Sequence, residues 1–222
     1  MHFTEPGFLS TTAFACIVMF IIMFFAQAVQ STRIFAGMLA WLALLCCIVA
    51  TGVLEANPMP GLMIFVAGIN LVSIIFALSG VGKKLSQSLS IVGLVGFQAF
   101  RLPLELILHS WVEQKSIPQT MTWTGQNFDI ISGILALVFI PLVKTNRKLA
   151  WIPNIVGFGL LLNVMRVAVM SSPLPFAWST DQIGGQPLQL AFHFPYLLIL
   201  PVCIGGALIG HILLTRALLA RK

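Results

Sequence analysis

A chain of 222 residues with 59% hydrophobic and only 8% charged residues is neither an ordinary soluble domain nor a disordered one. Its mean hydropathy of +1.01 leaves a compact polytopic membrane protein with a lipid bilayer as its surroundings and no room for a soluble domain of typical size. The net charge of +6 does not point to nucleic acid, because Lys and Arg fall in short segments between apolar runs, where they set membrane topology.

Seven apolar runs follow one another, at roughly 7–30, 34–54, 61–80, 89–111, 128–143, 149–170 and 195–219. Each is long enough, alone or with its polar flanks, to cross a bilayer as a helix. The expected architecture is an all-α, seven-helix transmembrane bundle that forms one domain over residues 1–222. The first run carries Ala26-Gln27-Ala28, which resembles a signal-peptide cleavage site. The stretch before it has no Lys or Arg and holds Glu5, whereas a secretory signal starts positive, so the run reads as a retained helix. Punctuation between runs is clear: Ser31-Thr32-Arg33, Glu55-Ala56-Asn57-Pro58, Gly82-Lys83-Lys84 and Lys144-Thr145-Asn146-Arg147-Lys148. The fifth run is short.

Alternate connections sort by charge. Arg33, Lys83, Lys84, Lys144, Arg147, Lys148, Arg216, Arg221 and Lys222 lie on one side, and Lys115 alone on the other. The positive-inside rule then predicts an N-terminus outside and a C-terminus in the cytoplasm. The two connections between runs four and five and between runs six and seven are long, almost uncharged and carry Trp123, Phe176 and Trp178. Aromatic residues of this kind suit a membrane interface. Cys16, Cys46, Cys47 and Cys203 lie inside apolar stretches, without zinc-type spacing or a disulfide framework, and read as small packing residues.

Two basic residues remain, Arg101 and Arg166, both inside apolar runs. The fourth run carries Gln98, Arg101, Glu105 and His109. With Arg101 at zero and about 100° per residue, Glu105 falls near ~40°, Gln98 near ~60° and His109 near ~80°, on one face. Ionisable groups at mid-bilayer cost roughly 2.5–3.5 kcal/mol each, so this stripe must face protein or water. Arg101 and Glu105 are spaced for an intrahelical ion pair. Pro103 removes one backbone donor and frees the carbonyl of Ala99, which predicts a kink. The fifth helix begins with Asn127 and Asp129, the sixth brings Asn163 and Arg166 into its outer half, and the seventh begins at His193. Arg166 has no acid on its own helix, so Asp129 or Glu105 is its expected partner across helices.

The polar groups of helices four to seven thus share the outer half of the membrane. The structural alternative is that Asn127 caps a helix, Asp129 sits at a helix dipole, His193 is interfacial, and Arg101 with Glu105 only specifies the fold. Asn70 and His211, on other stretches, read as packing or interhelical hydrogen-bonding residues.

The stretch Arg101-Leu-Pro-Leu-Glu105, His109 and Met121-Thr-Trp-Thr-Gly-Gln-Asn127-Phe-Asp129, with Asn163, Ser171-Ser-Pro173 and His193-Phe-Pro195, resembles a family of uncharacterised bacterial multi-pass membrane proteins. The likeness covers roughly residues 95–215 and implies a bacterial inner-membrane protein. It implies no activity and no cofactor.

Three readings follow. In the first, an outward-facing polar cavity in helices four to seven binds or transports a small polar or anionic molecule or a lipid headgroup. Arg101, Glu105, His109, Asn127, Asp129, Asn163, Arg166 and His193 would line it, with the arginines gripping carboxylate or phosphate. In the second, Glu105, His109, Asp129 and His193 hold a metal, and the chain is an intramembrane lipid-modifying hydrolase or transferase. In the third, it is a structural membrane subunit whose polar cluster is saturated internally. A haem held by His109, His193 or His211 ranks last, because His211 lies far from the other two.

Overall fold

The computed structural model describes residues 3–220. It is 80% helical, and among the described residues there is no strand. The helices are α1 (Phe8–Val29), α2 (Thr32–Ala50), α3 (Val53–Ala56), α4 (Met63–Leu78), α5 (Gly80–Ser88), α6 (Ile91–Phe97), α7 (Arg101–Glu113), α8 (Ile130–Thr145), α9 (Trp151–Ser171), α10 (Thr180–Ile183) and α11 (Gly205–Ala220). Short 3-10 or π turns join several of them into longer rods. Six rods are long and apolar enough to cross a bilayer: Phe8–Val29, Thr32–Ala50, Pro58–Leu78, Ile91–Glu113, Arg147–Ser171 and Tyr196–Ala220. The shorter apolar helix, Ile130–Thr145, is the seventh. This is an all-α membrane bundle.

The helix ends follow local chemistry. The side chain of Ser79 accepts from Gly82 N–H and starts α5, that of Ser90 accepts from Gly93 N–H and starts α6, and that of Asn146 accepts from Lys148 N–H before α9. Ser179 and Gln182 form a reciprocal capping box on α10. Gln30, in the left-handed conformation at φ 49°, turns α1 into α2.

The chain runs back and forth between two unlike ends. One end carries Arg33, Lys83, Lys84, Lys144, Arg147, Lys148 and Arg216 and, among the described residues, no acid; Arg221 and Lys222 lie outside the described residues. The other end carries the two long connections, Lys115, and the acids Glu5, Glu55, Glu113 and Asp181. We call these the basic end and the loop end.

The rod ending in α11 is the axle of the bundle. Its apolar window is 72% buried, against 11% for α2, which lies at the periphery. Helices α4, α5, α6 and α9 all pack on α11. Gly205, Gly206, Ala207 and Gly210 give α11 a small-residue side that lets neighbours approach closely, as membrane helices require where no hydrophobic effect drives them together. A Cβ on Gly210 would lie 2.5 Å from Gln98 Nε2, and the glycine leaves that amide free to donate to Ala207 O at 3.2 Å.

Pro103 acts as a modifier rather than a hinge. Its missing N–H and its ring disturb the turn containing Ala99, and there the chain tightens into a 3-10 turn, Gln98–Phe100, before α7 continues without interruption through Pro103. On the far side of α7, Gly133 brings α8 very close: a Cβ there would come within 2.4 Å of Leu102 N and 2.8 Å of Leu102 Cα. Helix α8 is short, 16 residues, or about 24 Å at 1.5 Å per residue, against a hydrocarbon core of about 30 Å. Its first turn therefore lies below the loop end, within reach of α7.

Gly133→Ala forces α7 and α8 apart and should cost about 1–3 kcal/mol of stability. Gly159→Ala, at a glycine whose Cβ would meet nothing within 4 Å, should leave stability unchanged or slightly raised. Thermal unfolding of the two variants in the same detergent checks this, and equal melting temperatures would refute the close α7–α8 contact.

Candidate functional site

Arg101 lies in the middle of the α6–α7 rod and is 1% exposed. A guanidinium at this depth needs every donor occupied. Its Nε donates to Asp129 Oδ2 at 2.6 Å, its Nη2 pairs with Asp129 Oδ1, and its Nη1 donates to Gly157 O at 3.0 Å and meets His211 Nε2 at 3.0 Å. The Arg101–Asp129 contact is thus a two-pronged ion pair between α7 and the start of α8, the strongest geometry available to these side chains. Glu105 is not the partner that the i, i+4 spacing predicts. Two other helices complete the guanidinium's shell. Gly157 on α9 exposes its carbonyl, and a Cβ there would stand 2.8 Å from the His211 ring and 3.5 Å from Arg101 Nη1. His211 on α11 is 1% exposed, and its Nδ1 lies 2.9 Å from Asn154 Oδ1. Asn154 Nδ2 donates to Thr215 Oγ1 at 2.8 Å, and Thr215 Oγ1 donates to His211 O at 2.9 Å.

The carboxylate side is equally organised. Asp129 Oδ1 accepts from Ser132 Oγ at 2.9 Å, and the Asp129 N–H donates to Asn127 Oδ1 at 3.0 Å. Asn127 is fully buried, and its Nδ2 donates to Glu105 Oε1 at 2.8 Å and to Met121 O at 3.0 Å. All the hydrogen-bonding capacity this amide needs is used, which fixes its orientation. A continuous polar chain therefore runs Glu105–Asn127–Asp129–Arg101–His211–Asn154–Thr215, through α7, α8, α9 and α11.

One end of that chain is open. Glu105 is 1% exposed, yet its Oε2 has no hydrogen-bond partner. Glu105 lines a narrow cavity of about 80 Å³, part of it open to the surface. Asn70 on α4 lines the same cavity. Its Nδ2 donates to Val66 O at 3.0 Å, which leaves the buried Oδ1 as a second acceptor without a partner. Around these groups the walls are apolar: Leu62, Val66 and Ile69 from the α4 rod, and Leu161, Val164 and Met165 from α9. The π turn Leu200–Ile204 contributes Leu200, Cys203 and Ile204. Helices α4 and α9 each pack on α11, but no substantial α4–α9 interface closes the space between them.

Several sequence expectations change here. The cavity is not a polar vestibule; of the eight candidate ligand residues only Arg101, Glu105 and Asp129 line it. Asn127 is behind it, holding Glu105. His109 is part-exposed at the loop end, stacked on Trp123 at 4.4 Å and 3.8 Å from Glu113. His193 stacks on Phe3 at 4.0 Å. Among the described residues no three His, Cys, Asp or Glu side chains form a metal-holding group, so the set Glu105, His109, Asp129 and His193 is not assembled. Arg166 has neither Asp129 nor Glu105 as partner. It is exposed and takes neutral acceptors, Asn163 Oδ1 and Gln126 Oε1. Asp129 is already committed to Arg101. His211 makes the interhelical bonds expected of it, but as a direct contact of Arg101. The signal for that was its mid-run position on α11, level with Arg101 when both rods are drawn across one membrane.

Compared with protein-family models, with curated proteins and with solved structures, the chain matches none of them.

Asp129→Asn leaves Arg101 buried without its charge partner and should destabilise the protein by about 3–5 kcal/mol. Asn127→Ala should cost less, about 1–3 kcal/mol, because it strands one neutral acceptor (Met121 O), one neutral donor (the Asp129 N–H) and only one oxygen of Glu105. Urea or thermal unfolding of both variants tests the order, and a near-neutral Asp129→Asn would remove the ion pair from its central place.

Proposed function

We propose that this protein binds an amphipathic molecule within the membrane, taking its apolar part between α4 and α9 and its hydrogen-bond-donating head against Glu105 and Asn70. The observation that carries the reading is the pair of buried acceptors without partners, Glu105 Oε2 and Asn70 Oδ1, in one otherwise apolar cavity. An unsatisfied buried acceptor costs roughly 1–3 kcal/mol, and a bound hydroxyl or amine would recover it. Arg101 does not favour an anionic head, because Asp129 neutralises its charge and Gly157 O and His211 hold its Nη1. A few convergent polar groups in an otherwise apolar cavity are the usual make-up of a ligand site. The space left between α4 and α9 supports arrival from the bilayer rather than from water.

The proposal includes the orientation and the location. The basic end faces the cytoplasm and the loop end faces outward, on the charge asymmetry of the connections. The likeness to bacterial multi-pass proteins supports an inner membrane.

Native mass spectrometry with long-chain alcohols, alkylamines and alkyl sulfates of equal chain length tests the ligand class. Alcohols and amines should be retained and sulfates not. Glu105→Leu, which fills the polar corner with an apolar group, should abolish retention of the amine while the fold survives. Preferential retention of the sulfate would overturn the reading.

Orientation is checked separately by labelling in a background lacking the four native cysteines. Thr4→Cys should react from the outer face and Lys148→Cys only after permeabilisation. The reverse pattern would invert the topology without touching the cavity.

A further inference from the structure

Helix α9 presents a regular stripe to the outside at positions 155, 159, 162 and 166, spaced by four, three and four residues. Ile155 is 64% and Leu162 49% exposed, as side chains facing lipid should be. The last member of the stripe is Arg166, also exposed. It lies five residues before the end of α9, so about 7.5 Å below the loop end at 1.5 Å per residue. A cation on a lipid-facing stripe at this level meets the headgroup region of a bilayer, where phosphate is the abundant anion.

The side chain is held in place. Arg166 Nη2 donates to Asn163 Oδ1 at 2.9 Å and to Gln126 Oε1 at 3.4 Å, and its Nε donates to Asn163 Oδ1 at 3.3 Å. Asn163 is itself anchored by donating to Gln126 O at 2.8 Å. The guanidinium sits over Trp178, 5.4 Å from the ring centroid. All of these partners are neutral, and among the described residues Arg166 makes no ion pair. Nη1 has no hydrogen-bond partner among the described residues. A full positive charge, pre-oriented by three neutral side chains and flanked by an interfacial tryptophan, lacks only an anion.

We propose that Arg166, with Trp178 beside it, holds the phosphate of a membrane phospholipid at the loop end of the bundle. The phosphate oxygens take the free Nη1 donors, and the indole lies against the glycerol region, where tryptophan side chains settle in bilayers. This site is separate from the cavity at Glu105, and neither depends on the other.

The experiment uses the full chain in neutral detergent and native mass spectrometry with phosphatidylglycerol, or with diacylglycerol of the same acyl chains. The wild-type protein should retain phosphatidylglycerol and not diacylglycerol. Arg166→Ala should retain it roughly ten-fold more weakly, as expected for losing a charge-assisted hydrogen bond. Arg166→Lys, which keeps the charge and the solubility but not the planar fork, should fall in between. Lys144→Ala, which removes one exposed charge at the opposite end, should retain lipid like wild type. Unchanged retention in Arg166→Ala, equal loss in Lys144→Ala, or equal binding of diacylglycerol would overturn the proposal. Displacement of the lipid by an equal concentration of inorganic phosphate would also overturn it, by making the ligand a soluble anion.

Discussion

The buried pair between Arg101 and Asp129 is the constraint on which the rest of the bundle is arranged. A guanidinium at mid-membrane cannot be left in hydrocarbon, and its five donors must find acceptors within one side-chain length. Asp129 meets two of those donors, and in doing so it draws the start of α8 below the loop end, which is why α8 is a turn or more shorter than its neighbours. Gly133 then lets α8 lie directly on the backbone of α7. The two donors of Nη1 fix α9 through the carbonyl of Gly157 and α11 through His211. Four helices are thereby set relative to one another by the needs of a single side chain.

The same arrangement leaves an asymmetry between the two buried ionisable residues on α7. Arg101 is surrounded, whereas Glu105, one turn nearer the loop end, is held on one oxygen only. Asn127 can supply one donor because its other hydrogen goes to Met121 O and its oxygen to the Asp129 N–H. The second oxygen belongs to an apolar cavity that reaches Asn70 on α4. Pairing Arg101 with Asp129 and stranding Glu105 turns what would be an anion site by composition into one whose chemistry asks for a donor.

Arg166 shows the opposite outcome for the same residue type. It lies near an interface, so it can remain exposed with neutral partners and no carboxylate. Depth, rather than residue type or spacing, separates the two arginines. Arg101 is eleven residues into a 23-residue rod and has no route to either surface, whereas Arg166 is about one and a half turns from the end of its helix.

The sequence by itself determined the all-α membrane bundle, because twenty-residue apolar runs can satisfy their backbone in lipid only as helices. It also determined the charge difference between the two ends, and it marked the stripe Gln98, Arg101, Glu105 and His109 as one that could not be left facing lipid. Partner choice was beyond it. The i, i+4 rule paired Arg101 with Glu105, because periodicity sees one helix at a time, and it offered Asp129 or Glu105 to Arg166. Nothing in the spacing could place Asp129 beside Arg101, bring His211 and Asn154 to the same guanidinium from two other helices, or put Asn70 across the cavity from Glu105. Those contacts depend on where small residues such as Gly133, Gly157 and Gly210 allow helices to touch, and on the length of α8. Both act through distances between rods, which only the tertiary structure decided.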